Sequence, residues 1–261
     1  MSVVTAHAVV GAAIAPLLVE PQASAVQASQ RLAGHLVDVI EMRNDWLHVR
    51  GADGYEGWVH AGYLSRLPGG SGRRSHDPAR ISLGCETRVP GGGRRALPLG
   101  AYLAPEETLQ SGESVAEADV PARFPRTAAA VAHSAVEFFD GTSYQWGGIT
   151  PWGADCSGFV QTVFWLHGVS LPRDAWQQGE AGAPGSPTLT ALQSGELAFF
   201  SDREDLQITH VGLGIGGGRM AHVAIGRGGF AIEQLSDGHD SYVRKLRERF
   251  RFVRQVLVPA S

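Results

Sequence analysis

The sequence predicts an α+β protein in which two small all-β modules precede one α+β domain. Residues 6–66 form short runs of alternating apolar and polar side chains separated by turns, a pattern typical of strands. Residues 81–123 show a second set of short strand-like runs. From Arg126 onward helical periodicity replaces the alternation, so we expect a domain of another class to begin there.

Composition narrows the choice of function. The chain has 261 residues, more than one domain of roughly 100–200 residues needs, so two or three modules are expected. Its 43% hydrophobic and 18% charged residues are ordinary for a globular protein. The net charge is −4 and long runs of Lys or Arg are missing, which argues against nucleic-acid and membrane partners.

The first predicted module covers residues 1–67. Strands are expected at residues 36–40, 46–50 and 57–60. The apolar stretch from Ala8 to Val19 has no Lys or Arg before it and contains Pro16, so we interpret it as a strand of this module. A signal peptide is the alternative. With the strand interpretation, the expected location of the protein is cytoplasmic.

A linker and a second module follow. Residues 68–80 are rich in Gly, Ser, Arg and Pro, which is typical of a linker. Residues 81–123 are then expected to form the second all-β module, with a turn at Gly91–Gly93 and a strand at Leu97–Leu103.

The third predicted domain covers residues 124–261. Apolar residues recur at helical spacing from Ala128 to Phe139, and Asp140-Gly141 ends the pattern. A second helix is expected to start at Asp155 and to end at Gly168, with a buried apolar stripe between them.

Cys156 is the candidate nucleophile. A thiol attacks as the thiolate, and the first turn of a helix favours that anion through free N–H groups. Asp155 is a good N-cap, and Gly158 allows another backbone or a ligand to come close. This setting indicates a reactive thiol, so a disulfide between Cys156 and the other cysteine, Cys85, is not expected.

Two histidines are candidates for the base and its partner. In a hairpin turned by Gly216–Gly218, Ile215 would pair with Arg219, and Gly212 would lie opposite His222. His210 and His222 would then share one face as diagonal neighbours about 7–8 Å apart, beside space cleared by glycine. A zinc site of Cys156 and both histidines is the alternative, but the spacing matches no zinc motif.

Six motifs in order resemble those of the NlpC-type cell-wall cysteine peptidases. They are Gly141-Thr142-Ser143-Tyr144-Gln145-Trp146-Gly147-Gly148, Asp155-Cys156-Ser157-Gly158-Phe159, Leu171-Pro172-Arg173-Asp174, Gly195-Glu196-Leu197-Ala198-Phe199-Phe200, His210-Val211-Gly212 and His222-Val223-Ala224. The resemblance implies a papain-like fold and a triad of Cys156, His210 and His222. It also implies that Tyr144 lies beside the nucleophile and that no cofactor or metal is used.

The N-terminal modules sharpen this resemblance. Residues 53–59 resemble the closing hairpin of bacterial SH3-like domains. With SH3-like modules ahead of the peptidase domain, the chain resembles the γ-D-glutamyl-L-diamino acid endopeptidases. Those enzymes act on murein peptides with a free L-Ala amine. In that comparison Tyr55 matches a tyrosine that helps to hold the amine. His35 stands where a Glu is expected to receive it, and Asp38 or Glu56 is the candidate substitute.

The predicted reaction is hydrolysis of the bond between γ-D-glutamate and the diamino acid, through an acyl-enzyme. Asp155, Ser157 and Arg173 are further candidates for substrate binding, with a salt bridge as the alternative role of Arg173. A broader peptidoglycan endopeptidase, an amidase or an acyltransferase would use the same triad. A wall-binding protein without catalysis is the alternative from another class. The choice between L-Lys and diaminopimelate, and the oligomeric state, stay open.

Overall fold

The chain divides into two structural units. The structure, a computed structural model, describes residues 4, 6–66 and 80–257, and the two units are Met1–Val120 and Pro121–Ser261. All of the predicted linker except Arg80 lies outside the described residues. The predicted fold class is confirmed, since β-sheets build the first unit and α-helices pack with strands in the second. The predicted limits of the individual domains stay predictions.

A seven-stranded antiparallel sheet forms the first half of the N-terminal unit. Its strands are Ala6–Val10 (β1), Ile14–Leu18 (β2), Gln27–Leu32 (β3), Leu36–Arg43 (β4), Trp46–Arg50 (β5), Glu56–His60 (β6) and Leu64–Arg66 (β7). Their hydrogen-bonded order is β3-β2-β6-β5-β4-β1-β7. Residues from β1, β2, β4, β5 and β6 share one buried apolar cluster, so the sheet curls around a common core.

The prediction of one strand from Ala8 to Val19 is wrong, because this apolar stretch is divided between β1 and β2. The chain leaves the sheet at Gly11, whose N–H donates to the carbonyl oxygen of Tyr63 (2.9 Å). Pro16 lies within β2 opposite Gln30. The apolar run therefore continues through a bend that hydropathy does not mark.

A four-stranded antiparallel sheet forms the second half of this unit. Its strands are Arg80–Arg88 (β8), Arg94–Leu97 (β9), Tyr102–Leu103 (β10) and Thr108–Ala116 (β11). β8 pairs with the other three strands. The predicted glycine turn is confirmed, because Val89 N–H donates to the carbonyl oxygen of Gly93 (2.9 Å).

The predicted strand Leu97–Leu103 is wrong, because the chain turns in its middle. β9 ends at Leu97, and the N–H of Ala101 donates to the carbonyl oxygen of Pro98 (3.2 Å). Gly100 has φ +87°, a left-handed conformation that favours glycine and is typical of turns. Two short strands, β9 and β10, flank this turn.

The C-terminal unit packs helices against a six-stranded antiparallel sheet. Its helices are Ala128–Phe139 (α2), Cys156–Leu166 (α3), Ala175–Gln178 (α4) and Ser241–Arg249 (α5), after a short helix Val120–Arg123 (α1) at the division of the units. Its strands are Ile149–Thr150 (β12), Gly153–Ala154 (β13), Ala183–Pro184 (β14), Glu196–Phe200 (β15), His210–Gly216 (β16), Arg219–Ala224 (β17), Gly229–Gln234 (β18) and Phe250–Gln255 (β19). The sheet order is β14-β19-β15-β16-β17-β18, and β12 pairs with β13 apart from it.

Both predicted helices are confirmed. α2 begins after its N-cap Thr127, whose hydroxyl accepts from Ala130 N–H (3.3 Å). α3 is capped by Asp155, buries its apolar side chains and ends before Gly168, where φ is +70°. Within the described ranges, every helix is too short or too polar to cross a membrane.

The hairpin of β16 and β17 has the predicted register near the histidines and another register at its tip. Leu213 pairs with Ala221, and continuing that register sets Gly212 opposite His222, as predicted. The predicted pairing of Ile215 with Arg219 is wrong, because Gly216 takes that place and leaves Ile215 in a bulge. The register therefore shifts by one residue only beyond Gly214.

Candidate active site

Cys156 is the first residue of α3, and Asp155 fixes the chain around it. One carboxylate oxygen of Asp155, Oδ1, accepts from Gly158 N–H (2.7 Å), and the other, Oδ2, accepts from Gly147 N–H (2.9 Å). The first bond caps the helix, and the second ties the preceding loop to it. The position of the thiol is thus set by backbone contacts on both sides.

Arg173 lies behind this cap in a buried ion pair. Its Nη2 is 2.7 Å from Asp155 Oδ2 and its Nη1 is 3.0 Å from Oδ1, while Nη1 also donates to Ser157 Oγ (2.9 Å). Arg173 is only 2% exposed. The salt-bridge alternative for Arg173 is therefore what the structure shows. The substrate contacts of Asp155, Ser157 and Arg173 stay predictions.

Gly158 allows the start of α3 to lie close to the backbone of the preceding loop at Gly148, as predicted. A Cβ atom at this position would lie 2.1 Å from the carbonyl oxygen of Gly148. No side chain fits there. The helix start and the glycine-rich loop before it consequently form one packed body.

His210 and His222 come into direct contact across the hairpin. The Nε2 atom of His210 lies 2.8 Å from Nδ1 of His222, with the ring centroids 5.0 Å apart in an edge-on arrangement. The predicted contact between the imidazoles is confirmed. The space at Gly212 is not open, however, because a Cβ there would lie 2.4 Å from the sulfur of Met220. Met220 fills the predicted glycine-cleared groove.

Burial favours the uncharged forms of the nucleophile and the base. Burial raises the pKa of the Cys156 thiol to about 12, with Asp155 adding to the rise, although N–H groups of Val211 and Ser157 act against it. Burial also lowers the pKa of His210 well below its ordinary value. Burial therefore disfavours the Cys156 thiolate more strongly than the helix start favours it. We therefore expect the thiol to lose its proton as it attacks the substrate.

Tyr144 lies near the thiol with its hydroxyl protonated. Its N–H donates to the carbonyl oxygen of Gly228 (2.9 Å), and its side chain is half-buried. Burial, together with Cys156 and Asp155, raises the pKa of Tyr144 to about 12. A neutral phenol can donate a hydrogen bond to a negative oxygen that develops beside Cys156.

The sequence analysis missed two residues of this site, Glu233 and Arg227. His222 is fully buried, and its Nε2 lies 3.2 Å from Oε1 of Glu233, which Arg227 contacts in turn. Glu233 is on β18, the next strand of the sheet. No sequence motif covers this contact.

Tyr55 belongs to the N-terminal unit. Its half-buried side chain packs against the apolar cluster of the seven-stranded sheet, and its carbonyl oxygen accepts from Arg31 Nη2 (3.1 Å). A role of Tyr55 in substrate binding stays a prediction. As for the zinc alternative, the described part of the chain holds no group of three or more His, Cys, Asp or Glu side chains placed to bind a metal ion.

Comparison with known proteins defines the class of both units. Residues 141–247 match the NlpC/P60 family, and residues 17–64 match the bacterial dipeptidyl-peptidase Sh3 domain. The C-terminal unit therefore contains an NlpC/P60 domain and the N-terminal unit a bacterial SH3 domain. The resemblance drawn from the motifs is confirmed.

Individual relatives match different shares of the chain. The γ-D-glutamyl-L-lysine dipeptidyl-peptidase of Bacillus subtilis is 44% identical over 110 residues, 42% of this chain and 36% of that protein. Its namesake from Bacillus cereus is 38% identical, over 26% of its length, so the chain matches about a third or less of these relatives. Dipeptidyl-peptidase 6 of Lysinibacillus sphaericus is 25% identical over 92% of this chain and 96% of its own.

A solved structure has the same fold. It is an NlpC/P60 family protein from Bacillus cereus, with a TM-score of 0.78 and 20% identity, and the match covers 97% of this chain and all of that one. At this identity the likeness concerns the fold.

Proposed function

We propose that this chain is a cysteine peptidase that hydrolyses the amide bond between γ-D-glutamate and the following diamino acid in peptides of the bacterial cell wall. The observation that carries the proposal is the hydrogen bond between His210 and His222 (2.8 Å), on the strand whose Val211 N–H contacts the thiol of Cys156. A nucleophile, a base and an orienting group are the parts that this chemistry requires. The names of the Bacillus relatives supply the substrate class.

The reaction proceeds in two transfers through one covalent intermediate. The sulfur of Cys156 attacks the γ-carbonyl carbon while His210 accepts the thiol proton. The tetrahedral oxyanion accepts hydrogen bonds from the Cys156 backbone N–H and the Tyr144 hydroxyl. His210 then gives its proton to the leaving amine, which frees the diamino acid and leaves a thioester. Water, deprotonated by His210, hydrolyses the thioester and restores the thiol.

The substrate end of the proposal concerns a free L-Ala amine. His35 has an imidazole in place of a carboxylate, and its ring Nε2 contacts the carbonyl oxygen of Gly100 (3.1 Å) within the N-terminal unit. Asp38 contacts His7 (2.9 Å) and Glu56 contacts Arg50 (2.6 Å). The side chain of Asp38 is 40% exposed and that of Glu56 is 35% exposed. That one of these two carboxylates receives the ammonium group stays a prediction. The cytoplasmic location also stays a prediction.

Product analysis tests the reaction. The tripeptide L-Ala-γ-D-Glu-diamino acid, with L-Lys or diaminopimelate, is incubated with the protein and followed by mass spectrometry. We expect release of the free diamino acid and a faster reaction than with the N-acetylated tripeptide. Transfer of the L-Ala-γ-D-Glu acyl group to an added amine, in place of hydrolysis, would instead indicate an acyltransferase.

Two variants serve as controls for this experiment. Cys156→Ala removes the nucleophile and should abolish turnover, whereas Cys85→Ser should leave turnover unchanged. Turnover by Cys156→Ala within tenfold of the wild-type rate would disprove the proposed chemistry. Equal rates with free and acetylated tripeptides would reject the amine requirement and leave a broader endopeptidase.

A further inference from the structure

A buried carboxylate lies on the far side of His222 from His210. Glu233 is 3% exposed, and its Oε1 is 3.2 Å from Nε2 of His222. In the pairing of β17 with β18, Glu233 is opposite Met220 and Ala231 is opposite His222, so the contact is a diagonal one between adjacent strands. The sheet register thus places one carboxylate against the one ring nitrogen that His210 does not contact.

Arg227 keeps this carboxylate ionised. Its Nε donates to Oε1 (2.7 Å) and its Nη2 to Oε2 (2.8 Å) of Glu233. Burial alone would raise the pKa of Glu233, but the hydrogen bonds from His222 and Arg227 outweigh it and hold the pKa at about 2. Asp240 accepts from the same Arg227 Nη2 (2.5 Å), which fixes the guanidinium from its outer side.

An ionised carboxylate determines where the histidine protons lie. A carboxylate only accepts hydrogen bonds, so Nε2 of His222 must carry a proton. In neutral His222 the other nitrogen, Nδ1, is then bare and accepts from Nε2–H of His210 across 2.8 Å. His210 in turn keeps Nδ1 free of a proton. That nitrogen is the one left to accept the proton of the Cys156 thiol.

We propose that Glu233 is a positioning residue for the base: it fixes the tautomers of His222 and His210 so that Nδ1 of His210 faces the reaction unprotonated. The inference rests on the proposed cysteine peptidase reaction. When the thiol proton moves to Nδ1, His210 becomes an imidazolium whose Nε2–H still points along the chain to His222. The negative charge of Glu233 stabilises that cation at a distance through His222.

The amide variant tests the assignment. Glu233→Gln has nearly the same shape, but its NH₂ group can donate to Nε2 of His222, which permits the reversed tautomers. We expect kcat for the tripeptide to fall by roughly 10- to 100-fold while KM changes less than about twofold. Glu233→Asp keeps an acceptor-only group and should retain more activity than the amide. Glu248→Gln, the same change at an exposed site on α5, should leave kcat at the wild-type value.

A direct measurement needs no variant. Nitrogen NMR of wild-type protein with ¹⁵N-labelled histidine distinguishes protonated from bare ring nitrogens, and we expect the Nε2–H form for both His210 and His222. A proton on Nδ1 of His222, or two protons on that ring, would overturn the inference, as would wild-type kcat in Glu233→Gln.

The outcomes separate the two proposals. If the wild type fails to cleave the tripeptide, or Cys156→Ala retains turnover, the proposed function is wrong. If Cys156→Ala is inactive and Glu233→Gln is fully active, the function stands and only the role of Glu233 is wrong.

Discussion

One ion pair lies behind the nucleophile and another behind the histidine that contacts the base, and the two pairs have different effects. Behind Cys156, Asp155 pairs with Arg173, whose side chain is 2% exposed. Behind His222, Glu233 pairs with Arg227, whose side chain is 30% exposed. Asp155 accepts from two backbone N–H groups, whereas the contacts of Glu233 with His222 and Arg227 are between side chains.

This difference separates a structural role from a chemical one. Asp155 caps α3 and ties down the adjoining loop, so its loss disturbs the fold around the thiol. Glu233 meets a ring nitrogen, so its loss changes which nitrogen carries a proton. We therefore expect the first ion pair to govern stability and the second to govern the pH dependence and rate of the reaction.

The largest expected effect on stability follows from removing the first carboxylate. Asp155→Ala leaves Arg173 buried without its anion and removes a helix cap, so the free energy of unfolding should fall by about 3–5 kcal/mol. Denaturant unfolding followed by circular dichroism measures this change. The control is Asp202→Ala, in a loose exposed pair with Arg249 (3.7 Å), which should cost less than about 1 kcal/mol. Equal losses of unfolding free energy in the two variants would contradict the structural role of Asp155.

A shift of the acid limb of the pH profile is the smaller effect. In the wild type the lowered pKa of His210 keeps the base neutral as pH falls through 6.5, so turnover should be lost only well below that value. Arg227→Met removes one of the groups that lower the pKa of Glu233, so the carboxyl group protonates at a higher pH than in the wild type. A protonated carboxyl group can donate to His222, and the acid limb should therefore move upward.

The measurement is kcat against pH for both proteins. Arg203→Met is the control, because Arg203 is exposed and pairs only with Asp205 among the contacts described for its side chain. It should leave the profile in place. An acid limb at pH 6.5 in the wild type, or an unmoved limb in Arg227→Met, would contradict the assigned roles.

The contrast between Asp155 and Glu233 also explains which parts of the site the sequence predicts. Asp155 stands next to Cys156, so the local rules of helix capping identify it without a structure. The pairing of His210 with His222 follows from a short hairpin, and a bulge at Ile215 alters only its tip. Glu233 could not be identified, because its contact with His222 depends on the register of a third strand. Desolvation of the thiol was missed for a similar reason, since burial comes from packing across the whole domain.

Trapping the covalent intermediate is the most direct test of catalysis by Cys156. Wild-type protein mixed with the tripeptide is quenched in acid during turnover, digested and analysed by mass spectrometry. We expect the peptide containing Cys156 to gain the mass of an L-Ala-γ-D-Glu acyl group, while the peptide containing Cys85 stays unmodified. Rapid hydrolysis in which Cys156 never carries that group, with the acyl group found on another residue, would contradict nucleophilic attack by Cys156.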